Sequence, residues 1–117
     1  MHELALAGAI AEIAGDHARG RRVSAVEVKV GYLRQVVPDA LTFAFRLVSA
    51  DTTLEGAELR LEHVPARVEC RACTGESAAV DFPFACAHCG SVDVDVVAGD
   101  EFSVEALELE EVLVGGR

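Results

Sequence analysis

Apolar side chains at Leu4, Leu6, Ala7, Ile10, Ile13 and Ala14 recur at helical spacing, with Glu12, Asp16 and Arg19 on other faces. The spacing predicts a helix over residues 3–18, stopped by Gly20 and the basic pair Arg21-Arg22. Gly8 and Gly15 lower its intrinsic helicity, but without side chains they would let it lie close to a sheet. His17 falls in the last turn, where a cation complements the helix dipole. The period then changes. Val26, Val28 and Val30 alternate with Glu27 and Lys29, the signature of a half-buried strand. Gly31 and a loop through Val36 and Val37 follow.

Pro38-Asp39 opens a second predicted helix that ends near residues 50–51. Its stripe is Leu41, Ala44, Phe45 and Val48, with Phe43 and Leu47 alongside, and Asp39 complements the dipole at its start. Residues 57–63 alternate again, with Glu58, Arg60 and Glu62 on the polar face, until Pro65 closes the run. His63 falls on the apolar parity, which predicts a buried or edge histidine. Residues 80–84 are read as strand backbone and an apolar cap for a small lobe. Val92, Val94 and Val96 form a third alternating run, broken at residues 98–100. Residues 102–111 read as a closing strand whose parity slips between Ala106 and Leu107, as a bulge or a doubly buried stretch would produce. Residues 115–117 are expected to fray.

The order is helix, strand, helix, strand, an insert, and a returning strand. This predicts an α+β fold: a small sheet with two helices, plus an inserted zinc-ribbon-like lobe. The expected boundaries are residues 1–66 completed by 100–117 for the first lobe, and 67–99 for the second. A chain of 117 residues, half of them hydrophobic and none of them Trp, buries only a modest core. A lobe as small as the second needs a staple.

Charge narrows the partners. A formal net charge of −10 argues against nucleic acid and against an anionic membrane surface. No apolar run is long enough to span a bilayer, and no basic leader precedes one, so a cytoplasmic location is expected. Phosphate-binding Gly-rich loops, Gly-x-Ser-x-Gly elbows and His-Glu-x-x-His pairs are all missing, so an enzyme is not expected.

The only cysteines are Cys70, Cys73, Cys86 and Cys89, two Cys-x-x-Cys knuckles separated by twelve residues. Four thiolates in that spacing can close a tetrahedron around one divalent ion once a hairpin brings the knuckles together. Two disulfides or a thioredoxin-like pair are the competing readings. The small or turn-forming residues after each pair, Thr74-Gly75 and Gly90-Ser91, suit a knuckle better. Ligand type alone does not separate zinc from rubredoxin-like iron. His88, inside the second knuckle, reads as a solvent-facing loop histidine.

The chain start carries a second constellation, Met1-His2-Glu3. His is too large for the usual removal of the initiator Met. The α-amine, the His2 amide nitrogen and the His2 imidazole therefore lie within chelating range. Nitrogen donors in a plane suit Ni(II) or Cu(II).

Taken together, Met1-His2-Glu3, Val28-Lys29-Val30-Gly31, Pro38-Asp39 with Leu41-x-Phe43-Ala44-Phe45, and the paired knuckles resemble the HypA family of hydrogenase maturation nickel chaperones. The resemblance covers essentially the whole chain. It implies a structural zinc on Cys70, Cys73, Cys86 and Cys89. It also implies transient nickel on His2, the Met1 amine and the backbone nitrogens of His2 and Glu3. The Glu3 side chain would support the site, and Asp39 would lie near it. The implied partners are a nickel-binding GTPase of the maturation pathway and the precursor of a [NiFe]-hydrogenase large subunit. A zinc-ribbon interaction module without a nickel role, and a rubredoxin-like electron carrier, are the alternatives.

Overall fold

The computed structural model describes residues 2–79 and 82–110. Met1, Val80, Asp81 and the expected frayed tail lie outside the described residues.

Helix α1 spans His2–Ala18 and buries Ala7, Ile10, Ala14 and Ala18, one stripe at helical spacing. Left-handed Arg19 and Gly20 stop it, and the Arg21 N–H turns back to the Ala18 carbonyl. In its last turn the His17 Nδ1–H donates to the Ile13 carbonyl at 2.9 Å. Gly8 has nothing within 4 Å of where a Cβ would stand, and Gly15 only the Leu54 side chain at 3.8 Å. Neither glycine is therefore needed for a close approach. Helix α2, Pro38–Ser49, packs against α1 and buries Leu41, Ala44, Phe45 and Ser49. Phe43 and Leu47 face outward. Ile10, Leu41 and Phe45 are fully buried and contribute about 1.5–3 kcal/mol each.

Strand β1, Val23–Gly31, is the centre of a three-stranded sheet ordered β2-β1-β6, with β2 at Glu58–Val64 and β6 at Phe102–Leu109. Its valines at 26, 28 and 30 are buried, as the centre of a sheet demands. The returning strand closes this sheet beside β1, as the sequence suggests. The parity slip is visible too: Glu105 and Ala106 are both exposed in succession. His63 is exposed on the edge strand β2, so its apolar parity does not bury it.

The second sheet is ordered β4-β3-β5, with β3 at Arg67–Cys70, β4 at Glu76–Ala78 and β5 at Val94–Ala98. Both neighbours run antiparallel to β3, and Cys70 stands opposite Val94. Between the knuckles, strand backbone comes from residues 76–78; of the expected 80–84, Phe82, Pro83 and Phe84 form no strand, and Val80 and Asp81 lie outside the described residues. There Phe82 is exposed, its peptide to Pro83 is cis, and its ring meets Phe84 edge to face at 5.6 Å. Phe84 does help cap the small core of Ala66, Val68 and Ala79, joined by Leu33 and Val94. The alternating run at residues 92–97 does lead into strand β5, with Val94 packed against the small core, while Val92, Val96 and Val97 are exposed.

The chain divides into two compact units. One comprises Met1–Val28, Val36–Leu61 and Val104–Arg117; the other comprises Lys29–Gln35 and Glu62–Ser103. The expected boundaries keep residues 29–35 in the first lobe. Backbone hydrogen bonding assigns them to the second: the Gly31 N–H donates to the Glu101 carbonyl and the Leu33 N–H to the Gly99 carbonyl, both at 2.7 Å. The Arg34 Nε–H adds a bond to the Asp100 carbonyl.

Candidate metal centre

Each knuckle is built the same way. Strand β3 delivers Cys70, whose N–H donates to the Gly75 carbonyl and whose carbonyl accepts from the Thr74 N–H, both at 2.9 Å. In the second knuckle the Cys86 N–H donates to the Ser91 carbonyl, and the Cys86 carbonyl accepts from the Gly90 N–H. The fifth residue of each loop, Thr74 or Gly90, is left-handed, at φ 62° and 78°. That conformation suits Gly90 and is tolerated less readily by Thr74.

The loops bring the four sulfurs to within 4.8 Å of one another. The Cys70–Cys89 and Cys73–Cys86 separations are both 3.6 Å. A tetrahedron with metal–sulfur bonds near 2.3 Å has edges of about 3.8 Å, so the donor set fits a divalent ion of zinc's size. The cysteines are free thiols, which disposes of the disulfide reading in this structure. Among the described residues, they are the one grouping of three or more His, Cys, Asp or Glu ligand atoms close enough to share an ion.

The leading cysteine of each knuckle is buried and the second is exposed. The Cys73 N–H pulls Cys70 below the ordinary thiol value, with help from the Ala72 N–H. The Cys89 N–H acts likewise on Cys86; together with the His88 N–H and neighbouring sulfurs it overcomes burial and carries that thiol to about 6. Cys73 behaves oppositely. The Gly75 N–H would lower it, but hydrogen bonding to Cys86, burial and the sulfurs of Cys89 and Cys70 raise it to about 11. Cys89 is raised too: the Ser91 N–H opposes the shift, while the hydrogen bond to Cys70 and burial drive it. Without a cation, the inner pair therefore gives up its protons more readily than the outer pair. A bound divalent ion displaces the remaining protons.

Several supporting residues carry no motif. Buried Ser77 on β4 accepts the Ala87 N–H at 3.1 Å and ties the second knuckle to the sheet. His88 is exposed, but its Nε2–H donates to the Glu76 carbonyl at 3.1 Å, so the ring bridges toward the first knuckle. Gly75 makes room for it, since a Cβ there would stand 2.8 Å from the His88 ring. Arg71 pairs with both Asp93 and Asp95. Gly75 carries a cue in the sequence, as a small residue after a knuckle, and His88 stands inside a knuckle; Ser77, Arg71, Asp93 and Asp95 carry none.

At the chain start the structure brings together fewer of the expected residues. His2 and Glu3 form the first turn of α1, with the His2 Nε2 3.9 Å from the Glu3 carboxylate. The Glu3 carboxylate accepts the Val37 N–H at 3.3 Å. This bond, foremost, holds the Glu3 carboxyl below its ordinary value, with its own N–H and His2 adding to the effect. Asp39 lies in the first turn of α2 and is exposed.

An α+β chain of two units, one built on two helices and the other carrying four clustered cysteines, has the form of a small metal-handling protein. The comparisons with known proteins give the family. The family model described as "Hydrogenase/urease nickel incorporation, metallochaperone, hypA" matches residues 1–109. The chain belongs to the HypA family, whose members are metallochaperones rather than enzymes. It is 39% identical over 114 residues to the hydrogenase maturation factor HypA of Nostoc sp., covering 97% of this chain and 100% of that one. It is 43% identical over 110 residues to its counterpart in Geotalea uraniireducens, covering 94% and 100%. The solution structure of the Ni metallochaperone HypA from Helicobacter pylori has the same fold, with a TM-score of 0.65 at 19% identity over 92% of this chain and 96% of that one.

Proposed function

We propose that this protein carries Ni(II) at its chain start and delivers it to the precursor of a [NiFe]-hydrogenase large subunit. In this reading a nickel-binding GTPase of the maturation pathway assists and supplies the energy of nucleotide hydrolysis. The process takes place in the cytoplasm; among the described residues no helix is long and apolar enough to cross a membrane. The ligands are the His2 imidazole, the Met1 amine and the backbone nitrogens of His2 and Glu3, with Asp39 contributing negative charge nearby. Cys70, Cys73, Cys86 and Cys89 hold a structural zinc.

One observation carries the nickel reading: α1 begins at His2, so the N–H groups of His2 and Glu3 belong to its first turn. First-turn amides have no intrahelical carbonyl to lose. Their nitrogens can turn to a metal without breaking the helix. Amine, amide and imidazole nitrogens favour Ni(II), whereas four thiolates favour zinc, so donor chemistry keeps cargo and staple apart. The thiolate site has no open position and stabilises the fold. The chain-start site has few ligands, each exchangeable in turn, as transfer requires.

The test is a calorimetric Ni(II) titration of untagged, zinc-loaded protein beside two variants, one with a single residue added before Met1 and one carrying His2→Ala. Nickel binding should be lost in both, with the far-ultraviolet circular dichroism unchanged. Unchanged affinity in both would overturn the nickel reading and leave a zinc-ribbon interaction module as the better description. The same preparation should be colourless with one zinc per chain. A coloured, redox-active iron protein would overturn the zinc assignment.

A further inference from the structure

Helix α2 has an unusual start. Its N-cap is Val37, which has no side-chain acceptor, and Pro38 follows at the first helical position. In a capping box, a Glu or Gln at the third helical position reaches back to the N-cap N–H. That position in α2 is Ala40, which cannot do so. The missing carboxylate comes from the other helix: Glu3 accepts the Val37 N–H at 3.3 Å. The same oxygen lies 3.9 Å from the His2 Nε2, and the Glu3 side chain is only 17% exposed, against 51% for His2.

We propose that Glu3 is a positioning residue, a capping-box carboxylate supplied in trans that hooks the first turn of α1 to the N-cap of α2 and so holds the chain start in place for nickel. The proposal deepens the reading that nickel binds there, and rests on it. The atoms of a chain start must be ordered before several of them can bind one ion. Ordering it beforehand reduces that entropic cost. The hook needs a hydrogen-bond acceptor at residue 3, and a negative charge is not essential to it. Glutamine offers such an acceptor and alanine does not.

The full zinc-loaded chain with Glu3→Ala, Glu3→Gln, or Glu3→Ala combined with Ala40→Glu separates the roles. Two quantities are measured: hydrogen exchange of the Val37 amide in nickel-free protein, with the Phe45 amide reporting global opening, and Ni(II) affinity by calorimetry. Glu3→Ala should speed Val37 exchange and weaken nickel binding, each by about tenfold, the scale of one hydrogen bond. Glu3→Gln should leave both near wild type. The double variant should restore Val37 protection from within α2, yet leave nickel binding weak, because α1 stays unhooked. Unchanged Val37 exchange in Glu3→Ala overturns the hook. Glu3→Gln weakening nickel as much as Glu3→Ala, with Val37 still protected, overturns positioning in favour of charge or direct ligation. If the chain-start extension leaves nickel affinity intact, the nickel reading fails separately, and Val37 exchange still decides whether the hook exists.

Discussion

Glu3 shows how much one carboxylate's surroundings decide. In the sequence it is an acid near a helix start, a bland feature with a bland explanation in the dipole. In the fold its partner is an amide 34 residues away, which no local pattern discloses. The bond also fixes a pH response. The Glu3 carboxyl is held below its ordinary value of 4.5, chiefly by the Val37 N–H. A depressed carboxyl contributes stability that is fully present above the ordinary value and is lost as pH falls through the depressed one. The Val37 amide proton should therefore shift with a midpoint below pH 4.5 in wild-type protein and show no such step in Glu3→Gln, as nuclear magnetic resonance can record. The cysteines lie at the other extreme of legibility. Their spacing alone announces a tetrahedral site, because four soft ligands in two short loops have few other uses. Ser77, which steadies the second loop through the Ala87 N–H, could not be picked out from the sequence.

Among the elements, long periodic ones were legible and short ones were not. α1, β1, α2 and β6 declare themselves by an apolar period kept over two turns or several pleats. β3 and β4 contain four and three residues, too few to express a period, and their pairing is set by the knuckle they flank. Residues 92–97 show the limit of alternation: it marks strand β5, yet Val94 packs against the small core while Val92, Val96 and Val97 stay exposed. The glycines separate in the same way, by contact and not by sequence. A Cβ on Gly31 would run into the Gly99 carbonyl, and Gly99 itself is left-handed against the Ala66 backbone. Gly31→Ala should cost about 3 kcal/mol in chemical denaturation, since backbone rather than a pliable side chain stands in the way. Gly8→Ala should instead stabilise the protein by up to about 1 kcal/mol, because nothing opposes a Cβ there and alanine is the better helix former. Equal effects of the two substitutions would contradict this account.

At the scale of the whole molecule, the α+β class and the returning last strand could be read from the order of elements. The assignment of residues 29–35 to the second unit could not, because it depends on backbone bonds to residues 99–101. That unit has a small core built on Ala66, Val68 and Ala79, so a metal held by its four cysteines would provide much of its stability. Chelation, or Cys70→Ser or Cys86→Ser, should release amide protection across β3, β4 and β5 before it is lost in α1 and α2, as hydrogen exchange would register. Simultaneous loss throughout would show instead that the units melt as one. The sheet order β2-β1-β6 also bears on how the protein is made. A ribosome releases both helices and the central strand early, but the strand that closes their sheet comes only after both cysteine loops. Along the chain, both cysteine loops therefore stand between the strands that this sheet must bring together. On the proposed reading, zinc would shorten the loose chain to be closed when β6 returns to β1, so a shortage of zinc would burden the assembly of the very unit assigned to nickel.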